Sequence, residues 1–285
     1  MDKIPILLDT DPGNDIDDAL AISYLLSKPE CDLLGITTVT GPVDQRAAIA
    51  EVLCSAAGRK DVPIHCGRSD VLAYGQGQPW CAQYEPIKDL PHKLDRKQDE
   101  AVDFLRQTIR SRPGEITLLS IGPFPNVALL FALDPEIPFL LKEFVSMAGV
   151  FHLDFDTEWN CVCDPVATAM VAHAKRRRHY WVGLDVTLQC QMEKAECEKH
   201  FKGPLLELVL KMATKWFERE GKITFHDPLA AASIFNPGLL TFEQGKVAAN
   251  PEKGQTKFTA GEGTDFVASK VDSAKFFEEY FTVVK

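Results

Sequence analysis

Two rhythms of apolar and polar positions alternate along this chain. Residues 4–8 form a short apolar run that ends at acids, as a buried strand does. Residues 17–26 carry apolar positions at helical spacing and length, and Pro29 stops them. A second strand is predicted over 33–39, closed by Gly41-Pro42, then a helix over 44–57 ended by Gly58, then a short strand over 62–65. Beyond residue 97 the pattern predicts helices over 99–111, 126–132, 165–174, 205–220, 227–235 and 273–282. Strands are predicted over 116–121, 144–150 and 180–184, and a terminal antiparallel ribbon over 247–271. Strand–helix alternation of this kind points to a parallel sheet covered on both faces. Residues 71–97 break the rhythm with Gly, Gln and aromatic residues, which predicts a loop and a candidate lid. No linker, repeat or composition break divides the chain. The expectation is one α/β domain over 1–285, with a mostly parallel central sheet, helices on both faces and a small C-terminal antiparallel element.

Composition narrows the function. The 285 residues are 45% apolar and 25% charged, ordinary values for a globular protein that exclude disordered, collagen-like and coiled-coil chains. Lys plus Arg number 31 against 41 Asp plus Glu, a net charge of −10, which argues against a nucleic-acid or anionic-membrane partner. No apolar stretch is long enough to span a bilayer. The opening Met1-Asp2-Lys3 lacks the basic start of a signal peptide, so a cytoplasmic location is expected. The eight cysteines include no C-x-x-C pair, and Cys161 and Cys163 have no matching His or Cys cluster beside them. Reduced, mostly buried thiols are therefore expected.

The chemistry concentrates in Asp9-Thr10-Asp11-Pro12-Gly13-Asn14-Asp15-Ile16-Asp17-Asp18-Ala19, where a strand hands over to a helix. Acids favour helix N-termini, which accounts for one or two of them. Five carboxylates within ten residues repel one another unless a cation offsets them, and a hard divalent cation held by oxygens does so. The spacing is not that of an EF-hand loop. Asp9-Thr10-Asp11 resembles the aspartate-nucleophile phosphatases of the haloacid dehalogenase type, but Gly13 stands where those have Thr or Val.

A wider resemblance covers nearly the whole chain. Asp9-Thr10-Asp11-Pro12-Gly13, Asp17-Asp18-Ala19-Leu20-Ala21 and Leu34-Gly35-Ile36-Thr37-Thr38-Val39 occur in that order. Val62-Pro63-Ile64-His65-Cys66-Gly67, Gly122-Pro123-Phe124-Pro125-Asn126, Met147-Ala148-Gly149, Glu158-Trp159-Asn160 and His226-Asp227-Pro228 follow. Together they resemble the inosine–uridine-preferring nucleoside hydrolases. The resemblance implies a Rossmann-like sheet, Ca²⁺ as cofactor, a nucleoside as substrate and a homo-oligomer, dimer or tetramer. It implies a metal held by Asp11, Asp18, the carbonyl of Pro125 and Asp227, with the attacking water and two ribose hydroxyls on the same ion. Asp17 becomes the base on that water. Asp17, Asp227, Glu158 and Asn160 meet the ribose, and Met147 packs under the sugar. His226 faces the departing base, as acid or orienting group. Phe225, Trp80, Tyr84 and Trp159 are candidates for stacking on that base.

Two departures stand out. The family usually reads Asp-Pro-Gly-x-Asp-Asp, whereas Asn14-Asp15-Ile16 precede the pair here. Aligning Asp15 with the first acid of the pair would make Ile16 a metal ligand, so the insertion falls before Asp17. Asp15 is then an extra acid at the site, a ligand or a capping group. Pro42 stands where the family commonly has Asn after Gly, and Asp44 or Gln45 could substitute. Three rivals stand beside a nucleoside hydrolase: the same scaffold acting on another N-riboside or ribose conjugate, a ribose- or nucleoside-binding protein without turnover, and a phosphatase using Asp9.

Overall fold

The computed structural model describes residues 3–285. Strand β1 (Ile4–Thr10) is followed by helix α1 (Asp17–Ser27) and by β2 (Cys31–Thr38), which lies parallel beside β1. Helix α2 (Val43–Ala56) leads to β3 (Ile64–Cys66), parallel on the outer side of β2. The chain then crosses back. Helix α3 (Ala101–Ser111) delivers β4 (Thr117–Ser120) to the opposite side of β1. Helices α4 (Pro125–Leu133) and α5 (Ile137–Leu140) place β5 (Glu143–Met147) beside β4. Helices α6 (Trp159–Cys163) and α7 (Pro165–His173) precede β6 (His179–Val182), parallel to β5.

Next come α8 (Leu184–Thr187), β7 (Gln191–Glu193), α9 (Lys194–His200), α10 (Gly203–Trp216) and β8 (Lys222–Thr224). β7 and β8 form a separate antiparallel pair. Helix α11 (His226–Phe235), strands β9 (Leu240–Ala249), β10 (Thr256–Ala260) and β11 (Asp265–Val271), and helix α12 (Ser273–Val283) complete the chain.

The main sheet has nine strands in the order β10-β9-β11-β6-β5-β4-β1-β2-β3. Successive residues of the parallel strands face opposite layers, so both faces must be apolar. Ile6 and Leu8 of β1, Leu119 of β4 and Val145 of β5 join one apolar layer. Leu7, Leu118 and Phe144 join the other. Helix α1 is buried along Asp17–Leu25 because α2, α10, α11 and α12 all pack on it. That enclosure explains why it is apolar on more than one face.

The strand order reverses at β1, outward through β2 and β3 and then across to β4. Ligands of open α/β sheets lie outside the carboxyl ends of the strands at such a reversal. Asp9, Thr10 and Asp11 leave β1 at that point.

The antiparallel ribbon expected over 247–271 is present as β9, β10 and β11, and because β11 pairs in parallel with β6 it forms the antiparallel edge of the main sheet. Residues 71–97 are only partly irregular. They contain a 3-10 turn at Ala82–Ile87 and bury Gln78, Gln83 and Ile87. No helix among the described residues is long and apolar enough to cross a membrane. All eight cysteines are unpaired.

Candidate active site

A cleft of about 350 Å³ opens at the strand-order reversal. Its floor comes from the β1–α1 loop and from the first turns of α1 and α11. Asp17 and Asp18 start α1 and Asp227 starts α11, two helices packed side by side. One oxygen from each of these three carboxylates lies within 4.8 Å of the other two. Asp18 is aimed by two donors: its Oδ1 accepts from Thr10 Oγ1 at 2.5 Å and from the Asp11 amide at 3.0 Å. Asp17 accepts from the Asp18 amide at 3.2 Å. The Asp227 side chain accepts no hydrogen bond from the described residues. Asp11 stands beside the trio, its Oδ2 accepting from Gln78 Nε2 at 2.7 Å. A Cβ at Gly122 would come within 2.7 Å of Asp11 Oδ1, so the 122–126 turn that carries Pro125 is pressed against this acid.

This floor is electrostatically incomplete. Burial raises the pKa of Asp11, and Asp18 beside it raises it further. Burial does the same for Asp17, with Asp15 and Asp18 adding to it, and for Asp227, with Asp17 adding to it. Burial pushes Asp18 up to about 6 and Asp15 to about 7. Buried acids that disfavour one another's charge, with oxygens left free of donors, suit a hard divalent cation. The donor set therefore fits a metal. Asp15 lines the cleft, and its Oδ1 accepts from the Ile16 amide at 2.6 Å, a bond within the loop that precedes α1.

The walls carry the polar groups expected near a sugar. Glu158 caps α6: its oxygens accept from the amides of Asn160 at 2.8 Å, Cys161 at 3.1 Å and Gly149 at 3.1 Å. The residues 158–160 are thus a helix start and not a surface turn. Asn160 donates through Nδ2 to the carbonyls of Ile121 at 2.8 Å and Met147 at 3.1 Å. Met147, at the end of β5, also lines the cleft. His226 pairs through Nδ1 with Thr187 Oγ1 at 2.7 Å, and burial lowers its pKa to about 4, so the imidazole is neutral at neutral pH. Trp80 and Trp159 line the mouth and are about half exposed.

Other sequence candidates lie elsewhere. Phe225 is fully buried among Phe201, Phe276, Phe277 and Tyr280, as an apolar ring at the start of a packed helix should be. Tyr84 is outside the cleft lining, with its hydroxyl 2.9 Å from His92 Nε2. Pro42, Asp44 and Gln45 do not line the cleft, nor does Pro125, which begins α4. Asp9 is fully buried, with Oδ1 accepting from Thr37 Oγ1 at 2.5 Å and Asn126 Nδ2 at 2.8 Å, and burial raises its pKa to about 7. A buried, pinned acid cannot reach a phosphoryl group, so the phosphatase reading loses its nucleophile.

Sequence reasoning missed Gln78, Arg46 and Gln83. Gln78 holds Asp11 on one side and accepts from Trp159 Nε1 on the other. Gln83 donates to the carbonyls of Asn14 at 2.8 Å and Asp15 at 2.7 Å. The two features that depart from the resemblance, the inserted residues before Asp17 and the irregular 71–97 segment, therefore pack on each other. The only signal was the glutamine content of the loop. Trp216, the last residue of α10, and Arg219 just past it also line the cleft, and nothing in the sequence marked them.

Comparison with known proteins bears on this geometry. The sequence model of a family described as inosine-uridine preferring nucleoside hydrolase matches residues 6–278. Uridine nucleosidase 1 of Arabidopsis thaliana is 31% identical over 265 residues, covering 85% of this chain and 77% of that protein. The inosine-uridine preferring nucleoside hydrolase of Leishmania major is 32% identical over 265 residues, covering 84% and 81%. Among solved structures, a plant nucleoside hydrolase superposes with a TM-score of 0.84 at 25% identity, covering 99% of this chain and 98% of that one. A purine-preferring ribonucleoside hydrolase from Gardnerella vaginalis gives 0.83 at 25% identity, covering 98% of each.

Proposed function

We propose, from the premise that the chain belongs to the inosine-uridine preferring nucleoside hydrolase family, that it hydrolyses the N-glycosidic bond of ribonucleosides with calcium as its cofactor. Membership makes it a hydrolase of the N-glycosidase kind. The observation that carries the finer reading is the convergence of Asp17, Asp18 and Asp227 on one point of a cleft that also holds Glu158, Asn160 and a neutral His226.

Asp11, Asp18 and Asp227 are assigned to the cation, the Pro125 carbonyl is assigned to it on the family resemblance alone, from the turn pressed against Asp11, and Asp15 is assigned to the support of its loop. Bound there, the ion supplies a positive anchor for ribose hydroxyls and acidity for a water. Asp17 takes the proton of the water that attacks C1′, since its carboxylate borders the same point and carries only one weak backbone bond. The C1′–N bond breaks with its electron pair leaving on the base, and the surrounding carboxylates stabilise the positive charge that develops on the ribose. Asn160, whose Nδ2 faces two carbonyls, offers its Oδ1 as an acceptor, and Glu158, fixed by three amides, offers a second. Met147 packs under the sugar. Thr187 Oγ1 fixes the His226 ring through Nδ1, and in the tautomer in which that hydroxyl donates, the neutral imidazole carries its proton on Nε2 and hydrogen-bonds the departing base.

A second reading, another N-riboside as substrate, is favoured by one observation. Pro42 is absent from the cleft wall while Gln78 and Trp80 occupy it. The test is ribose release from inosine, uridine, adenosine and cytidine, with calcium and after chelation. Release that vanishes with the metal and returns with calcium is expected. No release from any of the four by calcium-loaded protein would overturn the nucleoside reading in favour of another riboside or of binding alone. The family resemblance also leads us to propose a homo-oligomer, which a sizing measurement on the purified chain decides.

A further inference from the structure

Arg46 lies within α2 and is fully buried. A buried guanidinium ordinarily faces a carboxylate, because an unpaired internal charge is costly. This one forms no salt bridge with any described residue. Its Nε donates to the Thr40 carbonyl at 2.6 Å. Nη1 donates to the carbonyls of Asp11 and of Pro12, the latter at 3.1 Å. Nη2 donates to the carbonyls of Gln78 at 3.1 Å and Trp80 at 3.4 Å. The acceptors come from three separate segments: the turn after β2, the loop after β1 and the 78–80 stretch. A planar fork of five N–H donors can serve them together, whereas a lysine ammonium has three donors around one point.

The backbone is shaped to admit this cation. Gly41, at φ +63°, lies so close to the Gln78 carbonyl that a Cβ would come within 2.0 Å of its oxygen. Gly13, at φ +146°, leaves no room for a Cβ, which would meet Cys81 Sγ at 2.3 Å and Arg46 Nη1 at 3.2 Å. The segment held by Nη2 returns to the floor through its own side chain, since Gln78 Nε2 donates to Asp11 Oδ2 at 2.7 Å. Arg46 thus grips Asp11 twice, through its carbonyl directly and through its carboxylate by way of Gln78.

We propose that Arg46 is a positioning residue for the cation site: it ties the Asp11 loop to the Gln78–Trp80 wall and so fixes the direction in which Asp11 faces the metal. It touches neither substrate nor ion. Its charge, left over by carbonyl partners, also offsets part of the repulsion among the floor acids. The inference rests on the reading of that floor as a cation site, and not on which base leaves.

The test uses the full chain, stripped by chelation and titrated calorimetrically with calcium alone. Arg46→Lys keeps the charge and loses the fork. Its calcium Kd is expected to rise tenfold or more with an unchanged circular dichroism spectrum. Chymotrypsin should cut faster after Trp80 and Tyr84. At saturating calcium most of kcat should return while KM stays raised, because the wall that borders the substrate remains loose. Gln78→Leu, which removes the tie to the Asp11 carboxylate and the acceptor of Trp159 Nε1 but leaves the backbone carbonyls held by Arg46, should weaken calcium several-fold without exposing those cleavage sites, and it serves if Arg46→Lys does not fold. Calcium affinity within twofold of the parent in the folded variants, with unchanged proteolysis, overturns the proposal. A parent protein that binds no calcium sinks the cofactor reading instead. In that case equal proteolysis of the parent and Arg46→Lys still overturns the tie, and faster cleavage of the variant upholds it.

Discussion

Asp265 and Asp227 are both buried carboxylates, and their surroundings could hardly differ more. Asp265 sits where β6, β9 and β11 meet. Its Oδ1 accepts from Arg176 Nη2 and from Trp181 Nε1 at 3.1 Å, and its Oδ2 accepts from the Val247 amide at 2.8 Å. Arg176 also donates through its two terminal nitrogens to the carbonyls of Val171, Ala172 and Ala174. Every charge there has a partner inside the protein. Asp227 has no donor among the described residues, and its nearest charges are Asp17, Asp18 and Asp11. One acid completes the structure and the other leaves it incomplete. A fold that tolerates the second kind does so because something outside the chain completes it.

The comparison breaks most visibly in turnover. Asp17→Asn removes the proton acceptor and leaves the other floor acids in place. It should lower kcat by about 10²–10⁴-fold, with calcium affinity close to that of the parent by calorimetry. A near-normal rate would shift the base to another acid, with Asp15 the first to substitute. Stability separates the two sites next. Asp265→Ala strands Arg176 as a buried charge, and losses of about 3–5 kcal/mol are usual when one partner of such a pair is removed. Denaturant unfolding reads this directly, and a variant as stable as the parent would mean that water serves Arg176 as well as Asp265 does. Calcium gives the third contrast. At about a hundred times Kd a native-state ligand adds about 2.7 kcal/mol. That gain should vanish in Asp227→Ala and persist in a folded Asp265 variant.

The alternation of strands and helices was legible because a parallel sheet with two covered faces needs runs such as 4–8 and 116–121 to be apolar throughout. The order of those strands was not legible, since periodicity says nothing about which strand pairs with which. The terminal antiparallel ribbon was legible but its attachment to the main sheet was not, because β11 joins that sheet through β6, which lies far upstream. At the site, clustered charge pointed to Asp11, Asp17 and Asp18, because like charges close in sequence demand an explanation wherever they fold. Asp227 and Glu158 became visible only through resemblance. Arg46 stayed hidden because its partners are backbone carbonyls, which no residue pattern records. Phe225 failed as a stacking candidate because adjacency to His226 in sequence puts it on the opposite, core-facing side of the start of α11.

The smallest effect is the one that tests the comparison most directly, because it requires a change of sign. In the chelated protein the floor acids are raised above the ordinary 3.8, with Asp18 near 6 and Asp15 near 7, chiefly by burial. The native state therefore holds protons that the unfolded chain has released. Stability falls with pH wherever the native state binds more protons. The metal-free protein should thus lose stability as pH rises from about 4 to about 7, contrary to the common acid denaturation of paired carboxylates. Asp134 runs the other way: Arg110 holds its carboxyl below the usual range, so its contribution is present above about 4 and is lost as pH falls further. Asp227→Asn removes one member of the repelling set at nearly constant shape. Chelated, it should melt a few degrees higher than the parent at pH 8, a shift equivalent to about 1 kcal/mol in a chain of this size, and the gain should shrink at pH 5. Calcium should reverse the ranking, because only the parent keeps the ligand. If the chelated variant melts lower than the parent at pH 8, Asp227 is a structural acid like Asp265, and the floor is not held in readiness for a cation.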